Sequence, residues 1–115
     1  MRDAAGKGIA ATPQISVREL KERMDKGDSL FILDVREQFE HRLAHLESHL
    51  IPLHELTSRL PELNPDNEII VYCHTGRRSA SAVDFLITKG FKNVKNLTGG
   101  IEAWAREIDP AMVRY

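Results

Sequence analysis

Short apolar runs alternate with polar stretches along this chain. Residues 30–33 and 69–72 carry only apolar or aromatic side chains. Runs of this length without polar alternation are typical of strands that are covered on both faces. Weaker runs predict a third strand at 94–97 and a brief strand at 50–51, just before Pro52.

Apolar residues at helical spacing lie between the predicted strands. Ser16 and Glu19 form a capping-box pattern at the start of one helix, and Gly27 ends it. Further helices are predicted at 37–43, 53–60, 79–89 and 101–106. Strands that alternate with helices indicate an α/β fold in three layers, with a mainly parallel central sheet and helices on both faces.

The length of 115 residues fits one domain. Residues 1–14 are rich in Ala and Gly and show no periodicity, so we expect a flexible lead-in or linker there. Residues 15–115 are then expected to form a single domain. Hydrophobic residues make up 42% of the chain, which is enough for a core without disulfides or a structural metal.

Charge and cysteine content exclude several classes of function. The formal net charge of -1 gives no general case for nucleic-acid or anionic-membrane binding. No stretch approaches the ~20 apolar residues that cross a bilayer. The single cysteine, Cys73, rules out an internal disulfide and a CxxC zinc site. A reducing, cytoplasmic setting fits this usage.

Cys73 directly follows the predicted strand at 69–72. In open α/β sheets, ligands bind beyond the carboxyl ends of the strands. The turn after Cys73 contains Gly76, so its backbone can point several N–H groups inward. These donors, the start of the next helix, and Arg77 and Arg78 favour an anion at the sulfur. A thiolate there is suited to attack on a sulfur or phosphorus oxyanion, or to carrying an anionic persulfide.

Each of these residues also has a structural interpretation. A lone cysteine is usually a small buried hydrophobe, and loop arginines are usually solvated. The strand end, the glycine turn and two arginines together favour the functional interpretation for Cys73. For Asp34 and Arg36, which follow the first buried strand, a structural ion pair is favoured over a role in shaping the floor of the site.

Three histidines, His41, His45 and His49, recur every four residues. On a continuous helix they would share one face and could bind a metal. The stretch 46–52 is not helical in pattern, and no thiol or acidic cluster joins the histidines. We therefore expect no metal site.

The sequence resembles a rhodanese-type sulfurtransferase domain over residues 15–104. The motifs that carry the resemblance are Asp34-Val35-Arg36-Glu37, Cys73-His74-Thr75-Gly76-Arg77-Arg78-Ser79 and Leu97-Thr98-Gly99-Gly100-Ile101-Glu102-Ala103-Trp104. The ending 104–110 is also similar to rhodanese domains fused behind adenylylating enzymes that load sulfur-carrier proteins.

The resemblance implies a two-step transfer of a sulfane sulfur through a persulfide on Cys73. It implies that the residues from His74 to Ser79 form the substrate-binding loop. Arg78 is the matching loop arginine and Arg77 a contact for the donor anion. The sulfur is carried covalently, so no cofactor is expected. The resemblance further implies a thiosulfate-like molecule or a persulfide-donating protein as the donor, and a thiol or a sulfur-carrier protein as the acceptor.

Two other functions compete with this interpretation. Cysteine-based phosphatases and arsenate reductases place an arginine six positions after the cysteine, where this chain has Ser79. That makes phosphatase chemistry the poorer match. A docking or redox-sensing module without turnover is the other alternative.

The segment 38–49 departs from the family's usual Pro-x-Glu-(Tyr/Phe)-x-x-Gly-His-Ile-Pro-Gly-Ala pattern. It lacks that pattern's prolines and glycines, although Glu40 and His45 match it. The shape of the donor pocket is therefore expected to differ from the family's usual one.

Overall fold

A computed structural model describes residues 11–115, in which five parallel strands form one sheet. The strands are β1 (Gln14–Ile15), β2 (Phe31–Asp34), β3 (His49–Leu50), β4 (Ile69–Tyr72) and β5 (Val94–Leu97). Their order across the sheet is β1-β5-β4-β2-β3, and every neighbouring pair is parallel. The carboxyl ends of β2 and β4 therefore lie side by side, with Asp34 in register with Tyr72.

Four α-helices cover the two faces of the sheet. They are α1 (Val17–Asp25), α2 (Gln38–Leu43), α3 (Arg77–Thr88) and α4 (Gly100–Glu107). Side chains of α3 pack in one apolar cluster with Val71, whereas α1 and α4 pack in a second cluster with Ile70. The three-layer α/β fold with helices on both faces is confirmed.

The alternation along β4 explains why its apolar run is continuous. All four residues are fully buried. Ile69 and Val71 contribute to the cluster under α3, while Ile70 and Tyr72 contribute to the cluster under α1 and α4. A strand with both faces covered has no position for a solvated side chain.

Most element boundaries lie within two residues of the predicted ones. β2 and β3 are displaced by one residue from the predicted strands, and α3 begins at Arg77 rather than at position 79. The chain enters the sheet at Gln14, one residue before the predicted start of the domain. Of the lead-in predicted at 1–14, residues 1–10 lie outside the described residues.

The helix predicted at 53–60 is wrong. The structure has two three-residue 3₁₀ helices there, Leu53–Glu55 and Leu60–Glu62. Pro61 lies inside the second one, and a proline disfavours α-helical conformation in the residue before it. At the start of the segment the bonds already run three residues back rather than four, from Glu55 N to the Pro52 carbonyl and from Leu56 N to the Leu53 carbonyl, so the chain winds as 3₁₀ turns.

No helix within residues 11–115 has the length and apolar character needed to cross a membrane.

Candidate functional site

Cys73 lies at the carboxyl end of β4 and is buried, with only 1% of its surface exposed. Three hydrogen-bond donors point at its sulfur. The backbone N–H of Gly76 lies 3.1 Å from Sγ, the N–H of Ser79 lies 3.4 Å away, and the Ser79 hydroxyl lies 3.2 Å away. Gly76 is the N-cap of α3, and Ser79 lies in the first turn of that helix. Both N–H groups are therefore at the positive end of the helix dipole. Such a cradle favours a negatively charged sulfur.

The glycine of the loop makes this curl of the backbone possible. Gly76 has a φ of +105°, a conformation that side-chain-bearing residues rarely adopt, and it is the N-cap of α3. Its carbonyl accepts a hydrogen bond from Asn96 Nδ2 at 3.1 Å. The loop is thus held from the neighbouring strand β5.

The start of α4 fixes the backbone on the other side of the sulfur. Ile101 N donates to the Cys73 carbonyl, and Glu102 N donates to the His74 carbonyl, each at 3.0 Å. Gly100 has a φ of +61°, and a Cβ on it would lie 2.4 Å from the His74 oxygen. The loop and α4 therefore touch backbone to backbone, with no space for a side chain.

Ser79 connects the sulfur to a buried polar residue that the sequence analysis missed. Its Oγ lies 2.5 Å from Asn96 Oδ1 as well as 3.2 Å from the sulfur, so one hydroxyl proton faces two acceptors. Asn96 is only 3% exposed, and its Nδ2 also donates to Gln14 Oε1 at 3.2 Å. The sequence offers one signal for Asn96, which is that it is a polar residue within the strand predicted at 94–97.

The two loop arginines have different surroundings. Arg78 forms a two-point ion pair with Glu40, with N–O distances of 2.7 and 2.8 Å. The hydrogen bond from Arg78 lowers the pKa of Glu40 to about 2, and burial opposes this shift. Arg77 is exposed and has no side-chain hydrogen bond or ion pair to the residues from 11 to 115. Within that range it is the loop cation that remains open to an anion.

Asp34 and Arg36 are fully buried and pair with each other rather than with Cys73. Arg36 donates to Asp34 through Nε at 2.9 Å and through Nη2 at 2.8 Å. Burial raises the pKa of Asp34, but the hydrogen bonds from Arg36 and His41 outweigh it and hold the pKa below its usual range. Burial and the Asp34 charge raise the pKa of Tyr72 to about 12, so its phenol stays a neutral donor to Asp34. These contacts match the structural alternative, and a role at the floor of the site stays a prediction.

The three regularly spaced histidines have separate partners. His41 bonds to Asp34, His45 to the carbonyl of His41, and His49 to Glu62. Between residues 11 and 115, no group of three metal-ligating side chains is placed to hold an ion.

Tyr115 also reaches this region, and the sequence offers no signal for it. Its ring stacks on His74 with 4.1 Å between ring centroids and 11° between the planes. Its hydroxyl donates to Glu40 Oε2 at 2.8 Å and accepts from Arg36 Nη1 at 2.8 Å. Of the other predicted loop residues, Thr75 is exposed and His74 is half-buried.

Comparison with known proteins places this geometry in a family. The family described as "Rhodanese-like domain" matches residues 16–107. The putative sulfur carrier protein YrkF of Bacillus subtilis is 40% identical over 91% of this chain, and the probable adenylyltransferase/sulfurtransferase MoeZ of Mycobacterium tuberculosis is 39% identical over 96%. The chain spans 57% of the length of YrkF and 28% of MoeZ.

A solved structure shares the fold. The crystal structure of a rhodanese-related protein from Thermoplasma volcanium superposes with a TM-score of 0.77 at 35% identity. The match covers 84% of this chain and 93% of that one. Because sequence and structure agree over most of its length, the chain belongs to the rhodanese-like domain family.

Proposed function

We propose that this chain is a sulfurtransferase that carries a sulfane sulfur as a persulfide on Cys73. The observation that carries the proposal is the convergence of two backbone N–H groups, those of Gly76 and Ser79, on one buried sulfur atom, with the Ser79 hydroxyl beside them. Hydrogen bonds from such donors stabilise a thiolate, which is the nucleophilic form of cysteine. The relatives support sulfur handling in general, since YrkF is named a putative sulfur carrier protein and MoeZ a probable adenylyltransferase/sulfurtransferase.

The proposed reaction has two balanced steps and needs no cofactor. The Cys73 thiolate attacks the outer sulfur of thiosulfate, a new S–S bond forms, and sulfite leaves with the electron pair of the broken S–S bond. An acceptor then attacks the outer sulfur of the persulfide and restores the thiolate. With cyanide as the acceptor the product is thiocyanate. Arg77, exposed beside the cradle, is placed to attract the anionic donor.

The physiological acceptor lies outside this chain. Cys73 is its only cysteine, so the persulfide cannot be resolved as an internal disulfide. A thiol or a sulfur-carrier protein is the expected acceptor, and a thiosulfate-like molecule or a persulfide-donating protein is the expected donor.

The site supports this function over its two competitors. The residue six positions after Cys73 is Ser79, whose hydroxyl points at the sulfur, so no arginine is available there to clamp a phosphate. A docking module without turnover has no need of a cysteine whose sulfur faces two backbone N–H groups, so the cradle also argues against that alternative.

The test is the intact mass of the protein after incubation with thiosulfate, before and after cyanide. We expect one added sulfur atom on the wild type, its removal by cyanide, and none on Cys73→Ala. Absence of added sulfur together with absence of thiosulfate:cyanide turnover would contradict thiosulfate chemistry and favour the docking module. Hydrolysis of p-nitrophenyl phosphate at a rate that depends on Cys73 would favour the phosphatase instead.

A further inference from the structure

Tyr115 contacts one end of the cysteine loop directly and is linked to the other end through Glu40. On one side its ring stacks on His74, the residue directly after Cys73. On the other side its hydroxyl donates to Glu40, the carboxylate that holds Arg78 near the end of the loop. A side chain that touches both of these partners lies at the rim of the loop.

The segment 109–115 is fixed to the domain at several points before it reaches this rim. Arg114 forms an ion pair with Glu102 of α4. Met112 packs against the apolar cluster on the α1 and α4 face, and its N–H donates to the Asp109 carbonyl at 3.0 Å. Tyr115 is therefore placed by the fold, while 38% of the residue stays exposed to solvent.

The stack also fixes the imidazole of His74. The backbone of His74 is already held, because its carbonyl accepts from Glu102 N and lies against Gly100. With Tyr115 parallel to it at 4.1 Å, the imidazole has little freedom to swing aside. The two rings therefore form a stacked pair that is anchored on the residue directly after Cys73.

We propose that Tyr115 is a specificity-determining residue that limits the size of the sulfur donor reaching Cys73. The inference rests on the proposed sulfurtransferase function and deepens it by naming the substrate class. The stacked pair of Tyr115 and His74 admits thiosulfate, a small inorganic donor, and hinders donors whose leaving group is bulky.

The contacts divide between the ring and the hydroxyl, so two substitutions separate them. Tyr115→Phe keeps the stack on His74 and loses the hydrogen bonds to Arg36 and Glu40. Tyr115→Ala loses both. Because the proposal assigns size selection to the ring, Tyr115→Ala changes donor preference and Tyr115→Phe does not.

The experiment compares thiosulfate, methanethiosulfonate and benzenethiosulfonate as donors. In each case the outer sulfur moves to the Cys73 thiolate, and sulfite or the corresponding sulfinate leaves with the electron pair. The readout is the ratio of kcat/KM for benzenethiosulfonate to that for thiosulfate. We expect this ratio to rise on the order of tenfold in Tyr115→Ala, a size typical of steric discrimination in a pocket, and to stay within about twofold in Tyr115→Phe.

Val113→Ala is the matched control, since Val113 lies on the same segment and is 54% exposed. Its ratio is expected to equal that of the wild type. His74→Ala is a second variant that removes the stack while leaving Tyr115 in the chain, and its ratio should rise as well. A ratio in Tyr115→Ala that equals the control overturns the proposal.

A second measurement does not depend on sulfur transfer. The rates at which iodoacetamide and the bulkier N-phenylmaleimide alkylate Cys73 are followed by mass spectrometry in the same variants. For each variant we take the ratio of the N-phenylmaleimide rate to the iodoacetamide rate. We expect this ratio to rise in Tyr115→Ala and to stay at the wild-type value in Tyr115→Phe and Val113→Ala. If no donor loads the wild type, the proposed function fails, and the alkylation ratio still decides whether Tyr115 guards the sulfur.

Discussion

Replacing Gly100 by alanine tests the backbone contact between α4 and the cysteine loop. A Cβ at this position would lie 2.4 Å from the His74 oxygen and 2.6 Å from the Cys73 oxygen. Real Cβ contacts are essentially never shorter than 3.0 Å, so the His74 carbonyl must recede by about 0.6 Å. Neither neighbour can yield by rotating a side chain, because both are backbone atoms.

The expected cost has two parts. Alanine at a φ of +61° costs about 1 kcal/mol in backbone strain. Receding carbonyls also weaken the hydrogen bonds from Ile101 N and Glu102 N, each of which contributes about 1 kcal/mol. We expect Gly100→Ala to lower the free energy of unfolding by about 3 kcal/mol, measured by urea denaturation.

Gly27→Ala is the matched control. Gly27 has a φ of +78°, but a Cβ there meets nothing within 4 Å, so this variant carries the strain without the clash. We expect it to lose about 1 kcal/mol and to load sulfur at the wild-type rate. Gly100→Ala should load sulfur on the order of tenfold more slowly, because the cradle is displaced. Equal losses of stability in the two variants would refute the reasoning.

Two further substitutions test the polar contacts around the loop. The pKa of Glu40 is lowered to about 2, so its contribution to stability is complete above about pH 4.5 and is lost as the pH falls towards 2. We measure the free energy of unfolding in urea at pH 7 and at pH 3. The decrease between these two pH values should be about 2 kcal/mol smaller in Glu40→Gln than in the wild type, and equal decreases would contradict this. Ser79→Ala removes one donor from Cys73 Sγ and should slow sulfur loading about tenfold, by intact mass. The exposed Ser81→Ala is the control, and the same rate in both variants argues against a role for the hydroxyl.

The elements that could be predicted from the sequence are those whose cause is local. β4 has the predicted boundaries because a strand covered on both faces requires apolar residues in an unbroken run. The position of Cys73 at the end of β4 follows from the same run. β5 also has the predicted boundaries, although Lys95 and Asn96 interrupt its apolar run. The two-residue strand β1 has no such signal, since its pairing with β5 is made by the backbone.

The contacts that could not be predicted join residues far apart in the chain. Glu40 and Arg78 are 38 positions apart, and Arg36 and Tyr115 are 79 apart. No periodicity relates such positions, so only the packed fold brings them together. The family resemblance matched Glu40 and Arg78 separately, but their pairing requires the register of β2 beside β4.

The edge strand β1 consists of two residues, yet one of them completes the hydrogen bonds of the cysteine loop. Gln14 Oε1 accepts from Asn96 and from Thr98, and the carbonyl of Pro13 accepts from Asn96 N. When this chain is shortened for crystallisation or fused to another protein, the cut that preserves the loop lies before Pro13. The first buried core residue, Ile15, would suggest a boundary two residues later. The shortest chain that keeps the hydrogen bonds around the cysteine loop is thus determined by the side-chain amide of Gln14 rather than by the hydrophobic core.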